Sequence, residues 1–256
     1  MDAKANDISI DDLENYRQFI SSRATIEFDK CGDLESKIKS FHKSVAEHFP
    51  DKPEKKPKQK RYLLRSKSSS LVLLVDRLVW ETRYFGNYVQ DYDLCHKYVY
   101  EKLFTAFRGI KAELGQKVRF LSLVTTAQIS CNGLEVEPVS FIQKHYLAST
   151  EHQGPYVDLA LRVAREKDKK YYINFEIGRY WTRGLEEVGP LSEKRTVRLH
   201  ELQSLDSGIR LSVDVNTKRD AFERLPNYEE KDLRDFFDIT KEAVGEGLSK
   251  FLRKEI

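Results

Sequence analysis

Residues 23–50 read RATIEFDKCGDLESKIKSFHKSVAEHFP, and their pattern decides what kind of fold the chain can adopt. The first seven residues, 23–29, are typical of a strand. From Asp33 to Phe49, apolar side chains recur at steps of four, three, four and four residues, which places them on one face of a helix. Pro50 ends this helix because it has no N–H to donate. The stretch therefore predicts a strand followed by an amphipathic helix.

A similar order of elements follows downstream. Residues 61–66 and 71–80 predict a hairpin, and a long helix that ends at Gly115 comes after it. Residues 118–129 are apolar on both alternating faces, as a covered central strand is. We therefore expect a β-α-β-β-α-β half over 23–130, with a ferredoxin-like arrangement and two long helices.

The rest of the chain predicts a second α+β half. Three segments alternate between apolar and polar side chains, which is the period of half-buried strands: 156–165, 171–181 and 209–215. A C-terminal helix is predicted to follow Asn227. We expect an α+β protein with an antiparallel or mixed sheet. In it, a helical segment (1–22) precedes the first half, and residues 131–256 pack on that half.

Composition sets the compartment that we expect for this chain of 256 residues, of which 40% are hydrophobic and 33% charged. No run of about 18 apolar residues occurs, so no membrane helix is predicted. Residues 1–10 are polar and acidic, unlike a signal peptide. Cys31, Cys95 and Cys131 have no paired spacing, which is typical of a reducing compartment and argues against a zinc site. We expect a cytoplasmic protein without a metal ion or other cofactor.

Positive charge is concentrated in one segment. Residues 51–67 carry eight basic and two acidic side chains, so the remainder of the chain is net acidic although the whole has a charge of +3. Residues 50–60 contain three prolines and little apolar surface, and they predict a flexible, protease-sensitive linker.

Four short motifs follow one another between residues 26 and 123: IEF (26–28), HFP (48–50), VDRLV (75–79) and VRFLSL (118–123). In this order and spacing the chain resembles a sporadically distributed family of uncharacterised prokaryotic proteins of similar length. Where such proteins tend to carry an Arg-Tyr-x-Asn-like strand, this chain has TTAQ at 125–128. No activity is established for that family, so the resemblance implies a fold and no catalytic residues.

An aromatic loop is the first candidate binding site. Trp80, Tyr84, Phe85 and Tyr88 lie within nine residues at a predicted strand-to-helix connection. If these rings are exposed, they form an anchor for a partner protein. If they are buried, they close the hairpin over the following helix.

Two basic segments give a nucleic-acid interpretation as the alternative. Lys55, Lys56 and Arg61 belong to the basic linker region. Cations and aromatic rings also alternate at a later strand end, as they do on single-stranded nucleic-acid platforms: Arg179, Trp181 and Arg183. A solvated linker and a strand-end anchor explain the same residues without any nucleic acid.

An enzyme is the third alternative. Glu176 and Asp214, with Arg162 and Arg210, are predicted on outward faces of neighbouring strands, where two carboxylates beside arginines can do acid–base chemistry. Charged pairs on a solvated sheet give the same pattern.

We expect a non-catalytic binding or regulatory protein, because the sequence carries no phosphate loop, nucleophile elbow or metal-binding motif. Its place would be that of an accessory partner in a prokaryotic, defence-like multi-gene system. A protein partner or self-association is expected, nucleic acid is the alternative, and no membrane is involved.

Overall fold

The chain is an α+β protein built on one antiparallel sheet, as predicted. The computed structural model describes residues 10–56, 61–132, 134, 136–147, 158–184, 203–217 and 226–255. Nine strands form the sheet in the order β2-β3-β4-β5-β1-β6-β9-β8-β7. They are β1 (Arg17–Phe28), β2 (Glu54–Lys56), β3 (Arg61–Arg65), β4 (Ser69–Leu73), β5 (Arg77–Arg83), β6 (Val118–Ser130), β7 (Ala160–Lys167), β8 (Tyr171–Gly184) and β9 (Gln203–Thr217).

The helices include the predicted C-terminal one. They are α1 (Ile10–Asn15), α2 (Leu34–Val45), α3 (Tyr92–Ala112), α4 (Pro138–Tyr146), α5 (Glu230–Glu242) and α6 (Leu248–Leu252), with a 3₁₀ turn at Gly86–Val89 and a π-helical turn at Ala243–Gly247. The side chain of Asp91 caps α3 by accepting a hydrogen bond from the Leu94 amide at 3.1 Å.

The chain divides into two compact units that are discontinuous in sequence, whereas the prediction divided it into consecutive blocks at 1–22, 23–130 and 131–256. The larger unit holds 18–127, 163–175 and 212–256, and the smaller holds 1–17, 128–162 and 176–211. In the smaller unit α4 buries Phe141 and Ile142, and the Tyr180 hydroxyl donates to Asp206 at 2.7 Å.

The core of the larger unit lies on one face of its strands. In β1, Ser22, Ala24, Ile26 and Phe28 are buried, while Arg23, between Ser22 and Ala24, is exposed. Helices α2, α3 and α5 pack side by side over the buried face. Gly109 of α3 allows a close approach to α2, because a Cβ there would lie 2.6 Å from Ser44 Oγ. The opposite, polar face of these strands is therefore open for other contacts.

Local predictions failed where strand pairing overrides the helical pattern. The segment after Ser9 was predicted to be a helix that includes Phe19 and Ile20, but α1 has only six residues and β1 begins at Arg17. A short helix is only marginally stable on its own, whereas residues 21–27 pair with β5 and so belong to the packed sheet. The helix predicted to Phe49 ends at Val45.

The predicted linker contains a short edge strand. Within 50–60, residues 54–56 form β2 and pair with β3, since the sheet edge offers unpaired backbone groups. Residues 57–60 lie outside the described part of the chain. The ferredoxin-like arrangement and the pair of long helices stay predictions.

Candidate functional site

A concavity of about 760 Å³ lies beside the turn that joins β3 to β4. We call it the serine-turn groove. Its cationic side chains outnumber its carboxylates four to one, and all its residues belong to the larger unit. Its lining is Ser21, Ser22, Arg23, Arg65, Ser66, Lys67, Ser68, Ser69, Ser70, Glu81, Thr82, Arg83, Phe85, Val124 and Thr126. Such a charge balance suits an anionic ligand.

The strand register gathers polar side chains from four strands, three of them charged, into one row. Arg65 of β3 pairs with Ser70 of β4, and Ser70 pairs with Glu81 of β5. Glu81 in turn pairs with Arg23 of β1, whose Nε lies 3.2 Å from its carboxylate. Neighbouring strands lie about 4.8 Å apart, so the row extends over about 14 Å of the open face.

Two cations of the groove have no internal counter-charge. The side chains of Lys67 and Arg83 are exposed, and neither forms an ion pair or hydrogen bond with any residue that the structure describes. Arg65, by contrast, lies 3.8 Å from Glu54. Ser21 is the direct cross-strand neighbour of Arg83 and adds a hydroxyl beside it. These two cations are therefore available to an anion from outside the chain.

Tyr98 of α3 fixes the turn that forms one wall of the groove. Its hydroxyl lies 2.8 Å from Ser68 Oγ and 2.7 Å from Ser69 Oγ. Ser69 donates to Thr82, and Thr82 donates to the Ser68 carbonyl, both at 3.0 Å. Each hydroxyl has a single proton, so the hydrogen bonds run in one direction. Ser68 donates to Tyr98, Tyr98 donates to Ser69, Ser69 donates to Thr82, and Thr82 donates to the backbone of the turn. The turn is thus held by a fully satisfied network.

A buried cation lies behind this network. Lys102 is 8% exposed, and its Nζ is 4.7 Å from the centroid of the Tyr98 ring and 5.3 Å from that of Phe49. Burial raises the pKa of Tyr98, but the hydrogen bonds with Ser68 and Ser69 and the Lys102 charge outweigh burial, so the pKa lies below its ordinary value. Lys102 therefore adds positive potential on the helix side of the turn.

A second hydroxyl cluster supports the floor of the groove. Tyr84 donates to Ser22 Oγ at 2.7 Å, and Ser22 Oγ lies 3.0 Å from Thr125 Oγ1. Burial raises the pKa of Tyr84 well above its ordinary range, although the hydrogen bond with Ser22 partly opposes it. Tyr84 is therefore a neutral anchor inside the fold.

The predicted aromatic loop divides into buried and exposed rings. Trp80 is 0% exposed and Tyr84 6%, whereas Phe85 is 64% exposed and Tyr88 38%. Gly86 has φ +59°, a left-handed conformation that favours glycine, so the backbone reverses directly after Phe85. Of the four rings proposed as an anchor, Phe85 and Tyr88 are the ones at the surface.

The exposed rings border a second cavity of about 360 Å³, which we call the aromatic pocket. It shares part of its wall with the serine-turn groove: Lys67, Ser68, Arg83 and Phe85. The rings of Tyr84 and Tyr88 also line it, nearly parallel at 17° with centroids 6.5 Å apart. A polar, cationic cavity and an aromatic one therefore adjoin at the two unpaired cations.

The basic residues predicted to contact nucleic acid are largely occupied within the chain. Lys55 forms an ion pair with Glu35, and Lys56 forms one with Glu54. The hydrogen bond to Glu35 raises the pKa of Lys55. Arg61 is half-buried at the start of β3.

The Arg/aromatic strand end lies at the end of β8 in the smaller unit. The Arg179 guanidinium lies 5.1 Å from the centroid of the Trp181 ring, which is 41% exposed. The side chain of Arg183 lies outside the described residues. Stacking of Arg179 on Trp181 is a contact that the chain makes with itself.

The candidate catalytic carboxylates have separate partners. Glu176 accepts a hydrogen bond from Arg210 at 3.2 Å in the smaller unit, and Arg162 is exposed on β7. Asp214, in the larger unit, accepts from three neutral side chains, each at 3.2 Å: Ser122, Asn174 and Asn216. Each carboxylate thus has the surroundings of a cross-strand pair or amide cluster.

Within the described ranges, no three side chains of the metal-binding types come together as a candidate metal site. No helix in that part of the chain has the length and apolar character needed to cross a membrane.

Comparison with known protein families and with curated proteins gives no match. The serine-turn groove was missed by sequence reasoning, which treated residues 67–70 as a spacer between the strands predicted at 61–66 and 71–80. The available signal was the run SKSSS at 66–70 between Arg65 and the aromatic loop, because a turn rich in hydroxyls and cations is typical of anion contacts.

Proposed function

We propose that this chain is a non-catalytic binding protein with a regulatory role, and that the serine-turn groove and the aromatic pocket together hold its partner. One observation carries the proposal. Lys67 and Arg83, which have no counter-charge among the described residues, lie where a polar cavity and an aromatic cavity meet. A partner with both an anionic and a flat apolar part matches this arrangement.

The surroundings of the titratable groups favour binding over catalysis. The donor chain through Tyr98 is closed, and burial keeps Tyr84 neutral. Glu81, the carboxylate of the groove, is paired with Arg23. General acid–base chemistry needs a group that is free to exchange its proton with a substrate.

Two anionic probes test the proposal: an oligothymidylate and an acidic peptide of alternating Glu and Tyr. Each is titrated at low salt into the wild type and the double variant Lys67→Ala/Arg83→Ala. The matched control is Arg77→Ala/Lys117→Ala, which removes two exposed cations elsewhere in the larger unit. We expect at least one probe to bind and to lose affinity only in the groove variant. Equal affinities in all three proteins, or no binding of either probe, would contradict the proposal.

We also propose that the first half has a ferredoxin-like arrangement and that the protein is cytoplasmic. The strand order β4-β5-β1-β6, with α2 and α3 as connections, supports a ferredoxin-like first half. The three cysteines are buried free thiols, which supports a cytoplasmic location. The accessory role in a prokaryotic multi-gene system stays a prediction, and the genomic neighbours test it.

A further inference from the structure

Building on the proposed function, we infer that the partner in the serine-turn groove is a single-stranded nucleic acid. One phosphate lies between Lys67 and Arg83, and the adjoining base enters the aromatic pocket against Phe85 and Tyr88. This surface is different from the basic linker and from the Arg179–Trp181 strand end considered above.

The phosphate position follows from the unpaired donors. Arg83 offers a guanidinium fork, and its cross-strand neighbour Ser21 offers a hydroxyl on the same face. Lys67 lies on the wall that both cavities share. Phosphate oxygens accept hydrogen bonds from such side chains in most protein–nucleic acid contacts. Because none of these donors has an acceptor side chain within the described chain, an incoming phosphate displaces no internal ion pair.

The base position follows from the adjoining rings. The aromatic pocket, about 360 Å³ in volume, begins at the same Lys67 and Arg83 that flank the groove. Phe85, at 64% exposure, presents its ring to solvent, and Tyr88 contributes a second accessible ring. Bases stack on such rings without regard to sequence, because every base has a flat face. A nucleotide carries its anionic and flat parts next to each other, as the two cavities require.

The open face of the sheet gives the strand a path beyond one nucleotide. Arg65 and Arg23 lie at the two ends of the cross-strand row described above, about 14 Å apart. Each arginine has a carboxylate close by, Glu54 at 3.8 Å from Arg65 and Glu81 at 3.2 Å from Arg23, so the anchoring phosphate contact stays at Lys67 and Arg83. An acidic peptide carries its charges and its rings on separate side chains, whereas every nucleotide carries a phosphate and a base together, so the two adjoining cavities favour a polynucleotide over a peptide.

Fluorescence anisotropy with a labelled oligothymidylate of about 12 nucleotides tests the phosphate contacts. For single strands, each phosphate contact contributes about 0.7 to the slope of log K against log salt concentration. Because Lys67 and Arg83 together hold one phosphate, we expect Lys67→Ala/Arg83→Ala to reduce that slope by about 0.7. The control variant Arg77→Ala/Lys117→Ala keeps the wild-type slope.

Phe85→Ala tests the base contact. Its side chain is largely exposed, so the variant folds, and circular dichroism verifies this. We expect affinity for the oligonucleotide to fall about tenfold, within the range found for loss of one base–aromatic stack. Trp181→Ala is the matched aromatic control on the other candidate surface, and we expect it to bind as the wild type does.

Four results would overturn the inference. They are no binding at low salt, equal binding by the wild type and both groove variants, loss of binding in Trp181→Ala instead of Phe85→Ala, and equally tight binding of thymidine monophosphate. If the Glu-Tyr peptide binds through Lys67 and Arg83 while the oligonucleotide does not, the proposed function stands and the nucleic-acid ligand is wrong.

Discussion

Two regions of the larger unit that both bring cations close to aromatic rings can be compared: the serine-turn groove and the interface of α3 with α5. At the interface, Arg108 lies 4.4 Å from the centroid of the Phe104 ring and donates two hydrogen bonds to Glu230, at 2.8 and 2.9 Å. In the groove, Lys67 and Arg83 have no such carboxylate within the described chain. The residue types are alike. The cation at the interface is neutralised by a carboxylate, whereas the two cations of the groove have no carboxylate partner in the described chain.

This difference separates a structural role from a binding role. A cation that is paired with a carboxylate of its own chain stabilises the folded state, so its substitution changes the free energy of unfolding. A cation left without a partner contributes little to folding and remains available to a ligand. The four predictions below test this distinction, from the largest expected effect to the smallest.

Substituting one phenylalanine in each region gives the largest contrast. Phe237 of α5 is 1% exposed and packs edge-on against His96 and Tyr100, with centroids 5.6 and 5.0 Å away. We expect Phe237→Ala to lower the free energy of unfolding by about 3–5 kcal/mol, through lost burial and a cavity. Phe85→Ala should change it by less than about 0.5 kcal/mol. Urea denaturation measures both, and similar losses would remove the distinction.

Removing the Tyr98 hydroxyl tests the scaffold behind the groove. Tyr98→Phe deletes the group that Ser68 and Ser69 contact, and we expect a loss of about 1–2 kcal/mol of stability. Amide hydrogen exchange should also speed up in the serine turn. Tyr100→Phe on the same helix is the control, since the Tyr100 hydroxyl has no hydrogen bond within the described residues. Unchanged exchange in Tyr98→Phe would show that the network does not hold the turn.

Acid should lower the free energy of unfolding through His96 at the α3–α5 interface, by less than the Tyr98→Phe substitution does. Burial lowers the pKa of His96, which its hydrogen bond to the Phe237 carbonyl at 3.0 Å only partly opposes. The unfolded chain, with a histidine pKa of about 6.5, therefore takes up the proton first. Stability is highest above that pH and falls as the pH drops through it.

Urea denaturation at pH values on either side of 6.5 measures this drop, and His96→Gln should reduce it. The remaining drop reports other groups, such as His48, whose pKa burial also lowers. If the stability of His96→Gln falls with pH as much as that of the wild type, His96 is not responsible for the pH dependence.

The smallest effect concerns the exposed cations themselves. Arg108→Ala breaks the fork to Glu230 at the surface, so we expect a slight loss of stability that disappears at high salt. Arg83→Ala should leave stability unchanged at any salt concentration. Thermal unfolding of both variants at low and at high salt measures their stability relative to the wild type. A salt-dependent loss in Arg83→Ala would mean that this cation has a structural partner after all.

Periodicity located several elements closely. The strands predicted at 118–129, 171–181 and 209–215 are β6, β8 and β9, although β9 begins earlier, at Gln203. The C-terminal helix is also present. The prediction was wrong at residues 17–22. Their apolar spacing is compatible with a helix, but they form the start of β1, because pairing with the distant strand β5 decides the conformation.

The candidate site was accessible to sequence reasoning only in part. Phe85 and Tyr88 were proposed as anchors, and both are exposed. Lys55 and Lys56 were proposed for nucleic acid, yet each has a carboxylate partner in the chain. The partner of Lys55 is Glu35, which lies 20 positions away, and no local pattern encodes a contact over that separation.

The sequence by itself determined the α+β class and most of the strand and helix positions, because side-chain periodicity acts over a few neighbouring residues. The tertiary structure decided the groove, since hydrogen bonds between β1, β3, β4 and β5 bring residues 21–23, 65–70 and 81–85 together. It also decided which cations are neutralised and which rings are exposed. Ion pairing and burial depend on separations in space, and those exist only once the strands have paired.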